Sequence, residues 1–113
     1  MVHRIFAYGS LKRGCHNHHY IEQADYLGEH STDARYTLIS LGDYPAVINH
    51  GNTAIHGEVY AVDDLTFKSI DELEDYPELY DRICIPTPFG QAWMYIVDSA
   101  ADNEVVESGL WKE

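Results

Sequence analysis

The segment DLTFKSIDELED, residues 64–75, holds one carboxylate placed where it can do chemistry. Phe67 and Ile70 stand three apart and share a helical face. Four residues on, Glu74 joins that face. At about 100° per residue, Asp71, Glu72 and Asp75 fall toward the other side with Lys68. A carboxylate turned toward apolar surroundings loses hydration and its pKa rises. A general acid or base that works near neutral pH needs that property. Two plainer outcomes stay open: the helix ends at Glu74 and its side chain bends out to water, or Glu74 pairs with Arg82 or a tyrosine.

A second candidate lies near the start, in IFAYGSLKRG, residues 5–14. The apolar run Ile5-Phe6-Ala7-Tyr8 stops at Gly9 and gives way to Ser10 and Leu11. A turn needs only the glycine. A place where backbone N–H groups meet a ligand needs glycine with small, shaped neighbours. Tyr80 and Arg82, at spacing two, show on one face if their segment is a strand. Tyr80 then hydrogen-bonds a substrate, orients Glu74, or sits in the core with its hydroxyl at the rim. Arg82 has many nearby acids for a salt bridge. Tyr44 and Pro45 of GDYP either line a pocket or make a turn.

Other reactive side chains read more simply. Cys15, His16, His18 and His19 are possible metal ligands, but adjacent histidines rarely converge on one ion and no second cluster completes the set. That run is expected to be a solvated loop, with no metal bound. Cys84 alternates with Ile83 and Ile85 and reads as a small core residue. Two widely spaced cysteines imply free thiols in a reducing compartment.

The elements that must position these residues are mostly strands. Residues 2–8, 35–42, 44–51 and 54–62 are strand-like, and Asn17 is a possible N-cap for a short helix in CHNHHYIEQAD. Asp63 or Asp64 caps the one convincing helix, and Pro77 stops it from continuing past Tyr76. YDRICIPTP and GQAWMYIVD flank Pro88-Phe89-Gly90 as an antiparallel hairpin. The tail from Ser99 has no clear pattern, though Trp111 implies that it docks. The order implies an α+β fold, one helix packed on a curled sheet or half-open barrel.

The 113 residues fit one domain, 1–113, with one modest core. Nine tyrosines suit β structure and pockets with polar rims. A net charge of −12 disfavours nucleic acid and anionic membrane as partners. No signal-peptide pattern and no transmembrane-length apolar run is visible, which points to the cytoplasm.

Together, IFAYGSL, GDYPAVI, HGEVYAV, IDELEDYPELYDR and AWMYIV resemble the γ-glutamylcyclotransferase-like family. There an apolar strand runs into Tyr-Gly-Ser/Thr-Leu, and a later Asp-x-x-Glu precedes Tyr-x-Arg. The resemblance covers most of residues 4–97 in order. EDYPELY and the short chain are most like the γ-glutamylamine cyclotransferase branch; Asp75 stands where many relatives have glycine. The resemblance implies a small mixed β-barrel with flanking helices and a pocket at one end. It implies that Tyr8, Gly9, Ser10 and Leu11 hold a substrate α-carboxylate on backbone N–H groups, with Tyr44 and Tyr80 also binding substrate. It makes Glu74 the catalytic acid/base that closes a γ-glutamyl amine or γ-glutamyl amino acid into 5-oxoproline, with no metal or cofactor. The expected partner is thus a small molecule. The competing expectation is a non-catalytic module that binds a γ-glutamyl or related carboxylate ligand.

Overall fold

The computed structural model describes residues 2–98 and 103–113. Its strands are β1 (His3–Ala7), β2 (Asp25–Ser31), β3 (Tyr36–Ser40), β4 (Pro45–Thr53), β5 (His56–Val62), β6 (Asp81–Ile85), β7 (Ala92–Ile96) and β8 (Glu104–Val105). One helix, α1 (Asp64–Leu73), follows β5, and a single 3-10 turn occupies His18–Tyr20.

The strands form a five-stranded sheet, β2-β5-β1-β7-β6, and a three-stranded sheet, β4-β3-β8. The first is mixed, because β1 runs antiparallel to β5 but parallel to β7. The expected barrel does not close. β2 and β6 are the two edges of the larger sheet, and among the described residues its backbone pairs with the smaller sheet at one parallel bridge, Ile48 to Val97.

Strand β1 explains the apolar run at the start of the chain. Its side chains alternate between faces, and both faces are buried. Ile5 and Ala7 join one core cluster with Phe67, Ile70, Tyr80 and Tyr95. Phe6 and Tyr8 join the other with Leu38, Val47, Val59 and Met94. The strand that leads into the Gly9 turn is therefore held from two sides.

Helix α1 begins as its sequence implies. The Asp63 carboxylate accepts the Thr66 N–H at 2.8 Å, a cap that stabilises a helix by about 1 kcal/mol. Phe67 and Ile70 are its buried residues. The helix ends at Leu73, with Glu74 as C-cap and Asp75 in the left-handed region at φ 55°. The hairpin also forms as expected: β6 and β7 pair antiparallel, and Thr87 and Gly90 exchange backbone bonds across the turn.

Several expectations are corrected. Strand β2, DYLGEHS, lies in a segment that carries too little apolar alternation to read as a strand. It is an edge strand, mostly exposed, with a bulge between Tyr26 and Gly28. Cys84 is exposed rather than core, because β6 is the opposite edge and of its residues only Ile85 is fully buried. Asn17 precedes the 3-10 turn but does not cap it with its side chain, which donates instead to Ser10 Oγ at 3.0 Å. Asp71 is not solvated; β6 and β7 recruit it inward, as described below.

The segment after β8 does dock. Gly109 sits at φ 70° with no room for a side chain against the Ala54 carbonyl. Trp111 packs on the second core cluster, and its carbonyl accepts from the buried Lys12 ammonium. The Glu113 carboxylate takes the His16 N–H at 2.8 Å, His16 Nδ1 at 2.7 Å and Trp111 Nε1–H at 3.1 Å. Of the tail that begins at Ser99, residues 99–102 lie outside the described part. Among the described residues no helix is long and apolar enough to cross a membrane.

Candidate active site

The turn after β1 packs against the start of β4. A Cβ on Gly9 would lie 2.7 Å from Pro45 Cγ and 2.9 Å from Pro45 Cδ. Gly9 is thus required by close packing against proline, not by a positive φ, which it does not have. Its carbonyl accepts the Lys12 N–H at 3.1 Å, and the Ser10 carbonyl accepts the Asn17 N–H at 2.9 Å. Among the described residues, no protein acceptor takes the N–H groups of Gly9, Ser10 or Leu11. Three successive donors without protein partners are what an anion-binding concavity requires.

These residues line a cavity of about 320 Å³. It brings together all of Tyr8, Gly9, Ser10, Leu11, Tyr44, Glu74 and Tyr80. Glu74 reaches it from the end of α1, where the chain leaves the helix one turn beyond Ile70. No protein group among the described residues hydrogen-bonds its carboxylate, and Arg82 pairs with Asp71 instead. Burial pushes the Glu74 pKa from 4.5 up to about 7.

Three tyrosines wall this carboxylate, and each sends its proton elsewhere. Tyr8 donates to the Tyr95 carbonyl at 2.9 Å, Tyr80 to the Pro45 carbonyl at 2.7 Å, and Tyr95 to Asp71 Oδ1 at 2.6 Å. Burial above all, with the nearby Glu74 charge, holds the Tyr8 and Tyr80 hydroxyls well above their usual pKa. Burial and the bond to Asp71 do the same for Tyr95. The three tyrosines are neutral walls around Glu74.

Arg82 lies behind this wall. Its Nε and Nη2 donate to the two Asp71 oxygens at 3.0 and 3.3 Å. Its guanidinium carbon stands 4.6, 4.2 and 4.4 Å from the ring centres of Phe67, Tyr76 and Trp93. A planar cation with a two-pronged acceptor and aromatic faces is the setting that favours arginine over lysine.

The histidine run is spent on the same loop. His16 holds Glu113, and His18 Nδ1 meets the Leu11 carbonyl at 2.9 Å. Among the described residues no three His, Cys, Asp or Glu side chains are grouped to hold a metal ion. Cys15 is half-buried, and burial raises its pKa, so nothing there activates a thiolate.

The family model described as gamma-glutamyl cyclotransferase, AIG2-like, matches residues 5–113. The chain belongs to this AIG2-like gamma-glutamyl cyclotransferase family. The Escherichia coli relative named gamma-glutamylcyclotransferase family protein YtfP is 43% identical over 109 residues, spanning 96% of this chain and 95% of that one. The crystal structure of PH0828 from Pyrococcus horikoshii superposes with TM-score 0.84 at 31% identity, covering 96% of this chain and 88% of its own. That of an AIG2-like protein from Mus musculus gives 0.72 at 25% identity, over 88% and 78% of the two chains.

In this AIG2-like chain, four polar lining residues escaped the sequence reading: His16, Asn17, Asp43 and Tyr95. His16 and Asn17 lay in a run read as solvated loop, and Asp43 in a turn. Only the return of the loop onto Ser10 and the Glu113 contact bring them to the cavity. Tyr95 carried a weak signal, since AWMYIV places it amid apolar strand residues where its hydroxyl needs a partner.

Proposed function

We propose that this chain is a γ-glutamyl cyclotransferase acting on a γ-glutamyl amine or γ-glutamyl amino acid, with Glu74 as general acid and base. The observation that carries this reading is an unpaired carboxylate with a pKa of about 7 in a cavity whose opposite lining is a loop of free N–H donors.

The substrate α-carboxylate binds the N–H groups of Gly9, Ser10 and Leu11. This sets the α-ammonium within reach of Glu74 and uses no lysine or arginine, which suits a protein of charge −12. Glu74 takes a proton from the ammonium. The freed nitrogen attacks the γ-carbonyl carbon of the same molecule and closes a five-membered ring. The ring nitrogen loses a second proton as the carbon–nitrogen bond to the leaving amine breaks. Glu74 carries both protons in turn to the departing nitrogen, so 5-oxoproline leaves with a protonated amine and the enzyme is restored. An ordinary glutamate near pKa 4.5 is a weak base for an ammonium; one near 7 makes the transfer less uphill. Nucleophile and electrophile arrive tethered, which supplies much of the acceleration by proximity.

The test is a panel of γ-glutamyl amines and γ-glutamyl amino acids, with 5-oxoproline read by mass spectrometry. Product is expected from the wild type and is expected to vanish in Glu74→Gln, which keeps the fold. Equal turnover by Glu74→Gln overturns the mechanism. Tight binding of a panel member with no product from it supports instead a non-catalytic ligand-binding module.

A further inference from the structure

The loop that offers free N–H groups to the cavity is clasped from one side by Asn17. Its backbone N–H donates to the Ser10 carbonyl at 2.9 Å, and its side-chain Nδ2 donates to Ser10 Oγ at 3.0 Å. Asn17 is held in turn, because its carbonyl accepts the Tyr20 N–H at 3.1 Å. The next residue grips the same loop, with His18 Nδ1 on the Leu11 carbonyl at 2.9 Å. Ser10 is 7% exposed, and both Ser10 and Asn17 line the cavity. A serine hydroxyl has one hydrogen to give and two lone pairs to receive with. Here a lone pair takes the Asn17 amide, and among the described residues no acceptor takes the hydrogen. That hydrogen is turned away from Asn17, and it belongs to the residue whose N–H is the middle one of three free donors.

We propose that Asn17 is a positioning residue for carboxylate binding: it pins Ser10 Oγ so that the hydroxyl serves as a fourth donor beside the N–H groups of Gly9, Ser10 and Leu11. A carboxylate offers about four lone-pair sites on its two oxygens, which matches four donors. Hydrogen bonds to a charged acceptor are roughly twice as strong as neutral ones. An amide suits this task where side chains of similar size do not. An aspartate would accept the hydroxyl hydrogen and set a negative charge beside an anion site. An alanine would leave the hydroxyl free to rotate toward a backbone carbonyl. Neither lysine nor arginine is among the described lining residues, so neutral donors must supply the attraction. The inference rests on the cyclotransferase reading for the identity of the ligand, but the carboxylate contact can be measured without turnover.

The probe is 5-oxoproline, followed through the amide NMR signals of Gly9, Ser10 and Leu11, with the uncharged 5-oxoprolinamide as control. The wild type is expected to bind the acid with all three signals shifting, and to bind the amide far more weakly. Asn17→Ala and Ser10→Ala are each expected to raise the Kd for 5-oxoproline by about tenfold. Their double variant is expected to lose no more than either alone, because both act through one hydroxyl. Ser10→Thr, which restores a hydroxyl, is expected to recover most of the binding lost in Ser10→Ala. If Asn17→Ala does not fold, Asn17→Asp, of the same shape, takes its place and is expected to weaken binding at least as much. Losses that multiply in the double variant overturn the proposal, since Asn17 then acts on the loop and not through Ser10. Wild-type affinity in Asn17→Asp overturns it too, as do three amide signals that do not move in the wild type. Where turnover is found, Asn17→Ala is expected to raise KM more than it lowers kcat. Coupled losses of binding in a protein that turns over no γ-glutamyl compound overturn the cyclotransferase reading and leave the role of Asn17 standing.

Discussion

A carboxylate that titrates near neutrality costs the fold stability, and the sign can be worked out. With a folded pKa of about 7 against 4.5 when exposed, Glu74 binds its proton more tightly in the native state. The stabilising proton is fully held below about pH 4.5, and the advantage is lost as pH rises through 7. Above that, the native protein carries a penalty on the order of 3 kcal/mol from this residue. Glu74→Gln is therefore expected to raise the stability to urea at about pH 8 by up to that amount, and to change it little at about pH 4.5. Equal gains at both pH values would rule out a buried, raised carboxyl. Gly9→Ala is expected to lose about 1–3 kcal/mol by forcing Pro45 aside, and to raise KM more than it lowers kcat. Kinetics alongside chemical denaturation checks both. Glu74 was legible in the sequence because helical periodicity is a local rule. Asp71 was misread although the same periodicity, about 60° from Glu74, sets it at the edge of that face; its partners, Arg82 and Tyr95, lie 11 and 24 residues on and belong to other strands.

Where α1 ends, a backbone requirement takes over from side-chain patterning. Asp75 holds φ 55°, a conformation glycine enters without cost and other residues do not. Asp75→Gly is expected to stabilise the protein by on the order of 1 kcal/mol or less, and Asp75→Val to destabilise it by more than 1 kcal/mol, as thermal unfolding would show. At this scale the helix, its Asp63 cap and the β6–β7 hairpin followed from spacing and turn residues. Strand β2 did not, because an exposed edge strand is held by backbone bonds to β5, and its side chains carry no burial pattern.

The whole molecule carries −12, and that field acts on any charged substrate approaching the cavity. A γ-glutamyl amino acid has a net negative charge and is repelled; a γ-glutamyl derivative of a neutral-tailed amine has none. Raising salt from low to physiological strength is expected to lower KM for the first and leave the second unchanged, since screening sets in over about 10 Å. A KM that rises with salt for the anionic substrate would show a local positive field at the mouth stronger than the global one. Closure of the sheets was beyond the sequence. Strand content was readable, but whether a curled sheet meets its own edge depends on pairing between distant strands. Here, among the described residues, one bridge, Ile48–Val97, links the two sheets by backbone pairing, and shared core side chains do the rest.

The loop that carries Ser10 and His16 is braced by Trp111 and Glu113, across sequence separations of 99 and 97 residues. A ribosome delivers these in order, so the loop emerges well before its brace. Through the making of every residue between them, the Gly9 turn and later Glu74 exist without the contacts from Trp111 and Glu113. A growing chain stalled after β7 would carry every residue assigned to chemistry here and still present an unfinished cavity. Order of translation thus separates the moment the reactive groups appear from the moment they are enclosed.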